Sequence, residues 1–307
     1  MSQDHNINHF NDEVDLRELA NIIWSKKILI VSITSLFAIF SVIYSLYLPD
    51  VYKSSTLLAP TSQEGSSSNL GGFAGLANMA GVSLPTGNIS KGQIAVKRIE
   101  SHEFFSKYFL PNIDLENLMA VKDWQPQRNT ISYDKKIFDS DSGTWVRNVS
   151  FPKTKKPSSQ ESFREYKRIL SIDEDIETGL VYLSIKHESP YIAKKWVDII
   201  IYNINECMRE IDKEDAQNSI DFLSESIKTT NSQSIKLVFS RLMESQMQTL
   251  MLASSNDAYV FKIINSPIVA EEKSEPNRAL ICVIGTILGA LFSVIIALIS
   301  HFRKVAK

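Results

Sequence analysis

The run ALICVIGTILGALFSVIIALI, from Ala279 to Ile299, and its counterpart ILIVSITSLFAIFSVIYSLYL, from Ile28 to Leu48, decide how this chain is built. Each is 21 residues long without a single charge, and at ~1.5 Å rise per residue such a helix is about as long as the hydrocarbon core of a bilayer is thick. Both are therefore read as membrane spans. The 230 residues between them, Pro49 to Arg278, are polar to amphipathic and numerous enough for at least one folded domain. The expected organisation is a cytoplasmic segment over 1–27, a span over 28–48, an outer domain over 49–278, a second span over 279–299 and a tail over 300–307.

Orientation follows from flanking charge. Arg17, Lys26 and Lys27 precede the first span and only Lys53 follows it closely, so the N-terminus is expected in the cytoplasm and the domain outside. The second span votes more weakly, with basic residues on both sides, but two spans return both termini to one side. A cleaved signal peptide is not expected. Asp12, Glu13, Asp15 and Glu18 precede the apolar run, and Leu46-Tyr47-Leu48-Pro49-Asp50 offers no small-residue cleavage site.

A formal net charge of -2, from 33 Lys+Arg against 35 Asp+Glu, provides no basic excess for nucleic-acid binding. Of the two cysteines, Cys282 lies in the second span and Cys207 in the outer domain, so no internal disulfide is expected. Cys207 reads as a small buried apolar side chain.

Taken in order, Asp15 to Trp24 has apolar residues at helical spacing and reads as a short amphipathic helix on the cytoplasmic face, or simply as a topological anchor. Val51 to Pro60 alternates as a strand. Thr61 to Gln93 contains seven of the chain's eleven glycines. Its apolar middle, Leu70 to Val82 with Phe73 and Leu76, is expected to touch a partner, a neighbouring subunit or the membrane. A phosphate-binding loop is excluded there, because no G-x-x-x-x-G-K-[ST] string occurs. Ile94 to Leu110 is expected to be helical and to end at Pro111. Ser159 to Ile169 is read as a helix, and Leu170–Asp173 and Leu180–His187 as two strands joined around Thr178-Gly179.

From Tyr191 to Ser266 there is neither glycine nor proline. This predicts very long helices, opened by Ser189 as N-cap and Pro190 as first helical residue. Ile192, Trp196, Ile200, Ile204, Cys207 and Ile211 form one apolar stripe. Ala216, Ile220, Leu223 and Ile227 resume it after a step of five, which turns the apolar face by roughly 140°. One helix is thus expected to serve two packing partners. Leu223 and Ile227 are candidate contacts to a neighbouring subunit or to a second helix, which follows a turn at Thr229 to Ser232. Met243 and Met247 on that helix read as core filler, Ala258 to Ile264 as a strand, and the acidic run 210–215 as a solvated face.

No catalytic constellation is found. The five histidines are scattered, and neither Cys/His metal spacing nor a Gly-x-Ser-x-Gly elbow is present. A binding or scaffolding protein is favoured over an enzyme, with no cofactor and no metal.

Asp15-Leu16-Arg17-Glu18-Leu19 before the first span, Tyr52-Lys53-Ser54 after it, Gly71-Gly72-Phe73-Ala74-Gly75-Leu76-Ala77, and Thr178-Gly179-Leu180-Val181-Tyr182-Leu183-Ser184-Ile185 stand in order along the chain. With a proline segment before the second span, they resemble the polysaccharide co-polymerase family, the Wzz-type chain-length determinants. The family's proline-rich stretch is thinned here to Pro267 and Pro276, and its glycine-rich second span to Gly285 and Gly289 with Ala290.

The resemblance implies an α+β fold with an α/β base and a long projecting helix, and a homo-oligomeric ring on the periplasmic face of the bacterial inner membrane. It further implies action with a membrane glycan polymerase on lipid-linked polysaccharide, setting the number of repeat units in O-antigen or a related glycan. No C-terminal kinase domain is expected. The alternatives are an adaptor for capsule or exopolysaccharide export working with a separate kinase, and a membrane-anchored periplasmic sensor. Gly285 and Gly289, four apart on one face of the second span, are expected with Pro276 to govern close helix packing in the membrane.

Overall fold

The computed structural model describes residues 24–61, 90–255 and 258–305. The expected amphipathic helix before Trp24 and the glycine-rich stretch with Phe73 and Leu76 lie outside the described residues. In chain order the elements are helix α1 (Lys27–Tyr47), strand β1 (Tyr52–Pro60), helices α2 (Lys91–Ile99) and α3 (His102–Phe104), a π-helical turn at Phe105–Phe109, and α4 (Leu115–Met119). Two short hairpins follow, β2 (Val121–Gln125) with β3 (Thr130–Tyr133) and β4 (Phe138–Asp139) with β5 (Thr144–Trp145). The chain then continues through α5 (Ser159–Ile169), β6 (Leu170–Glu174), β7 (Val181–His187), α6 (Pro190–Thr229), α7 (Gln233–Ser255), β8 (Phe261–Asn265) and α8 (Arg278–Val305).

The chain divides into two compact units, Met1–Pro49 with Glu275–Lys307, and Asp50–Ser274. In the first, α1 and α8 are long and apolar enough to cross a membrane. The architecture is α+β, with these two helices at the termini and a long helix in the second unit.

The second unit is built on an antiparallel sheet in the order β6-β7-β1-β8. Alternation decides its faces: Ser54, Thr56 and Leu58 of β1, and Val181, Leu183 and Ile185 of β7, point into the core. Trp196, Ile200, Ile204 and Cys207 of α6 are buried as the stripe predicts, joined by Ala193, Val197, Ile201 and Met208. Phe105, Phe109 and Tyr166 pack ring to ring beneath them, with centroids 4.8 to 6.0 Å apart. Gly179 sits at φ +68 in the turn before β7, a conformation that favours glycine.

Local chemistry sets the element ends. Ser90 and Ser158 each form a capping box, with Gln93 and Glu161 as reciprocal partners. The helix expected over 94–110 is interrupted after Ile99, because Ser101 turns extended and its hydroxyl accepts the N–H of Phe104 to start a new helix. Ser189 does occupy the position before Pro190, but its hydroxyl makes no capping bond. Its backbone N–H instead donates to His187 Nδ1 at 2.8 Å. Pro190 alone supplies the preset first turn. The last strand begins three residues later than expected, at Phe261.

Candidate functional site

The candidate surfaces of this fold are two helix pairs and a polar junction. Within the first unit, α1 and α8 run antiparallel through small side chains. A Cβ built on Gly285 would lie 2.5 Å from Ser41 Cβ, and one on Gly289 would lie 2.5 Å from Phe37 Cβ. Real Cβ atoms do not approach so closely, so glycine is what lets these backbones draw together. Farther along, the Thr34 and Ser293 hydroxyls stand 3.4 Å apart and the Phe37 and Phe292 rings stack at 6.1 Å. Pro276 lies outside the helix, and Asn277 caps α8 by accepting the N–H of Leu280.

In the second unit, α6 runs for 40 residues, about 60 Å at helical rise. Its distal part forms a hairpin with α7. Leu223 is only 7% exposed and lines a cleft with Leu242 and Gln246. Ile227 is half-buried. Of the two partners left open for this stretch, the second helix covers Leu223. Phe222, the next residue back, is 71% exposed, and Met251 on α7 is exposed to the same degree. Met247 is 52% exposed, so the reading of Met243 and Met247 as core filler fails for Met247: among the described residues, α7 packs mainly against α6.

The acidic run 210–215 is more than a solvated face. Asp212 accepts from Lys91 Nζ at 2.6 Å and from the Tyr259 hydroxyl at 2.5 Å, while Glu210 accepts from the Tyr108 hydroxyl at 2.9 Å. Burial, followed by the bond to Glu210, pushes the Tyr108 hydroxyl well above its usual range. These bonds sit where α6 leaves the core, and they clamp it to α2 and to the segment entering β8. Asn205 performs a related task within the apolar stripe. Its Oδ1 accepts the N–H groups of Val260 and Phe261, and its Nδ2 donates to Phe261 O. The buried amide thereby stands in for a neighbouring strand at the start of β8.

Sequence reasoning missed Asp212 and Asn205. Asn205 had a signal, a polar residue inside a buried stripe. Asp212 had none, since Lys91 and Tyr259 are distant in sequence.

His187 is buried and held by two backbone groups. Its Nε2 lies 2.8 Å from Asn117 O while Nδ1 accepts from Ser189 N–H, which assigns the proton to Nε2. Burial lowers its pKa and keeps the ring neutral. Cys207 is buried, and burial raises its thiol pKa. Glu161 accepts a fork of bonds from Arg147, which also donates to Thr154 O and Lys155 O and so folds the basic loop onto α5. These bonds hold the Glu161 carboxyl down to about 2.

The family model described as the Wzz chain length determinant protein matches residues 12–110, bearing out the likeness read from the sequence. No curated protein matches the chain. Among solved structures, a full-length bacterial polysaccharide co-polymerase is similar over 94% of this chain and 98% of its own, at 11% identity and a TM-score of 0.40. A fragment of WzzB, a polysaccharide co-polymerase from Salmonella Typhimurium, covers 74% of this chain and 100% of its own, at 12% identity and a TM-score of 0.28.

Proposed function

We propose that this chain, whose residues 12–110 match the Wzz chain length determinant family, regulates the length of a surface polysaccharide. It acts with a membrane glycan polymerase to set the number of repeat units in lipopolysaccharide O-antigen or a related glycan. The family match is the observation that carries the reading, because it spans the first apolar helix and β1 together. The two membrane-length helices support a place in the bacterial inner membrane. We place both termini in the cytoplasm and the domain 49–278 in the periplasm, following the positive-inside rule.

The exposed apolar residues on the α6–α7 hairpin support assembly with further copies of the chain, since apolar side chains grouped on a water-facing surface mark interaction sites. Leu223 contributes by holding the hairpin together, and Phe222 by facing outward. Chain-length control of this kind asks the protein to present a surface and leaves the bond-making to the polymerase.

Deleting the gene should leave polymerisation intact and abolish the preferred length. A gel of surface polysaccharide from the deletion strain decides it: a ladder without a modal band is expected, whereas complete loss of polymer or an unchanged ladder overturns the proposal.

A further inference from the structure

The sheet of the second unit ends in two edges of unlike character. Its order β6-β7-β1-β8 makes β6 and β8 the end strands. β6 closes with Asp173 and Glu174, whereas β8 has Lys262 as its one charge and shows Ile263 and Ile264 to solvent. A strand edge presents backbone N–H and C=O groups that template a further strand, and apolar residues with a single charge do little to deter it. At the start of β8 the fold already meets this demand. Thr61 N–H donates to Val260 O on the β1 side at 2.9 Å, while Asn205 takes up the N–H and C=O of Phe261 on the other side. Alternation turns the backbone groups of Ile263, two residues on, to that same outer edge.

The opposite edge is built to match. Asp175 N–H donates to Leu180 O on the β7 side at 2.9 Å, so alternation turns the backbone groups of Ile172 outward. All pairings in the sheet are antiparallel and its strands are four, so β6 and β8 run in opposite directions. The β6 of a second copy therefore adds to β8 antiparallel, with the core faces of both sheets on one side. Ile263 and Ile172 pair within the chain with the buried Leu58 and Leu183, whereas Lys262 and Asp173 pair with Ala59 and Tyr182 on the other face. Setting Ile172 against Ile263 joins two inward apolar side chains and brings Asp173 directly opposite Lys262, an attractive cross-strand pair. Neither edge finds an opposite charge on its own kind.

We infer that copies of this chain join edge to edge, β6 of one pairing antiparallel with β8 of the next in this register, so that their sheets continue as one. The inference rests on the reading that the chain assembles with itself, and it adds a contact separate from the hairpin face. Because the two edges differ, the contact is head to tail, and each added copy offers a fresh edge until the set closes.

The test is disulfide crosslinking of the full chain in membranes, with the parent, which carries the same Cys207 and Cys282, as background. Within one chain, positions 173 and 262 are three strand spacings apart, about 14 Å, beyond the reach of a disulfide. A bond between them therefore joins two copies. Asp173→Cys/Lys262→Cys should give a ladder of crosslinked multimers on mild oxidation. Tyr182→Cys/Lys262→Cys, one strand farther in, should give at least tenfold less. In uncrosslinked protein, Lys262→Glu should lower the oligomer fraction severalfold, and adding Asp173→Lys should restore it. Equal crosslinking of the two cysteine pairs, or no rescue by the charge swap, overturns the inference. A disulfide from Lys262→Cys to a protein of another mass overturns it in favour of a different strand on β8. If the 173/262 pair stays uncrosslinked while Phe222→Cys crosslinks copies through the hairpin, the edge contact is wrong and self-assembly stands. A chain that is monomeric by every one of these measures overturns the self-assembly reading itself.

Discussion

The chain contains two antiparallel helix pairs that solve packing in opposite ways. Between α1 and α8 the close approach is made at Gly285, Gly289, Ser41 and Ser293, beside the stacked Phe37 and Phe292 rings, and many of the other large apolar side chains are exposed. Between α6 and α7 larger residues such as Leu223 and Leu242 line the cleft, while Phe222 at its rim and Met251 remain largely exposed. In lipid there is no hydrophobic force between helices, so close backbone approach through small residues supplies the attraction, and outward apolar side chains need no further partner. In water the hydrophobic effect holds a hairpin through its large side chains, and the same outward Phe222 is an uncovered liability. Under the proposed function an exposed apolar face therefore has two meanings in one molecule: lipid on the first pair, protein on the second.

The largest effect is expected at the first pair. Replacing Gly285 and Gly289 together by leucine forces side chains into positions where even a Cβ meets Ser41 and Phe37 at 2.5 Å. Insertion should survive, since leucine is apolar, while α1 and α8 separate. Cysteine crosslinking between positions 34 and 293 should fall severalfold at normal membrane levels, and glycan length should change. Unaltered crosslinking would show that the helices do not depend on close approach.

The second pair should break most readily at its root. Asp212→Ala removes the acceptor for Lys91 and for the buried Tyr259 hydroxyl, and loss of a buried hydrogen-bond partner costs about 1–3 kcal/mol. Adding Tyr259→Phe should recover part of that loss in thermal unfolding of the detergent-solubilised protein, because the polar group left without this acceptor is then gone. A double variant as unstable as the single one would remove Asp212 from the account.

A smaller, pH-dependent effect should appear away from both pairs. The bonds from Arg147 hold Glu161 down to about 2, below an ordinary carboxyl near 4.5. A folded-state pKa depressed in this way stabilises the fold above the unfolded value, and the contribution is lost as pH falls from about 4.5 towards 2. Unfolding curves of the parent and of Glu161→Gln should therefore converge across that window and differ at neutral pH. Parallel curves would contradict the role of the Arg147 fork.

These contrasts explain what the sequence could disclose. Local pattern found α6 with its apolar stripe, the turn around Thr178-Gly179 and the two membrane-length runs, because the residues that define each are neighbours. The small-residue spacing of Gly285 and Gly289 was also visible, but its partners Ser41 and Phe37 were not, since nothing in a linear pattern links α8 to α1. Asp212 looked solvated because its hydrogen-bond partners are about 50 to 120 residues away. Met247 looked buried because apolar spacing shows which face of a helix is greasy without showing whether anything covers it.

That last distinction supplies the most direct test. Phe222 is exposed on the chain by itself, so Phe222→Asp should change its stability by no more than about 0.5 kcal/mol. If the hairpin face is where copies of this chain meet to set glycan length, a deletion strain carrying Phe222→Asp at parental protein levels should show fewer crosslinked oligomers and a shifted modal band on the polysaccharide gel. A modal band and crosslinking pattern identical to the parent's would contradict the account.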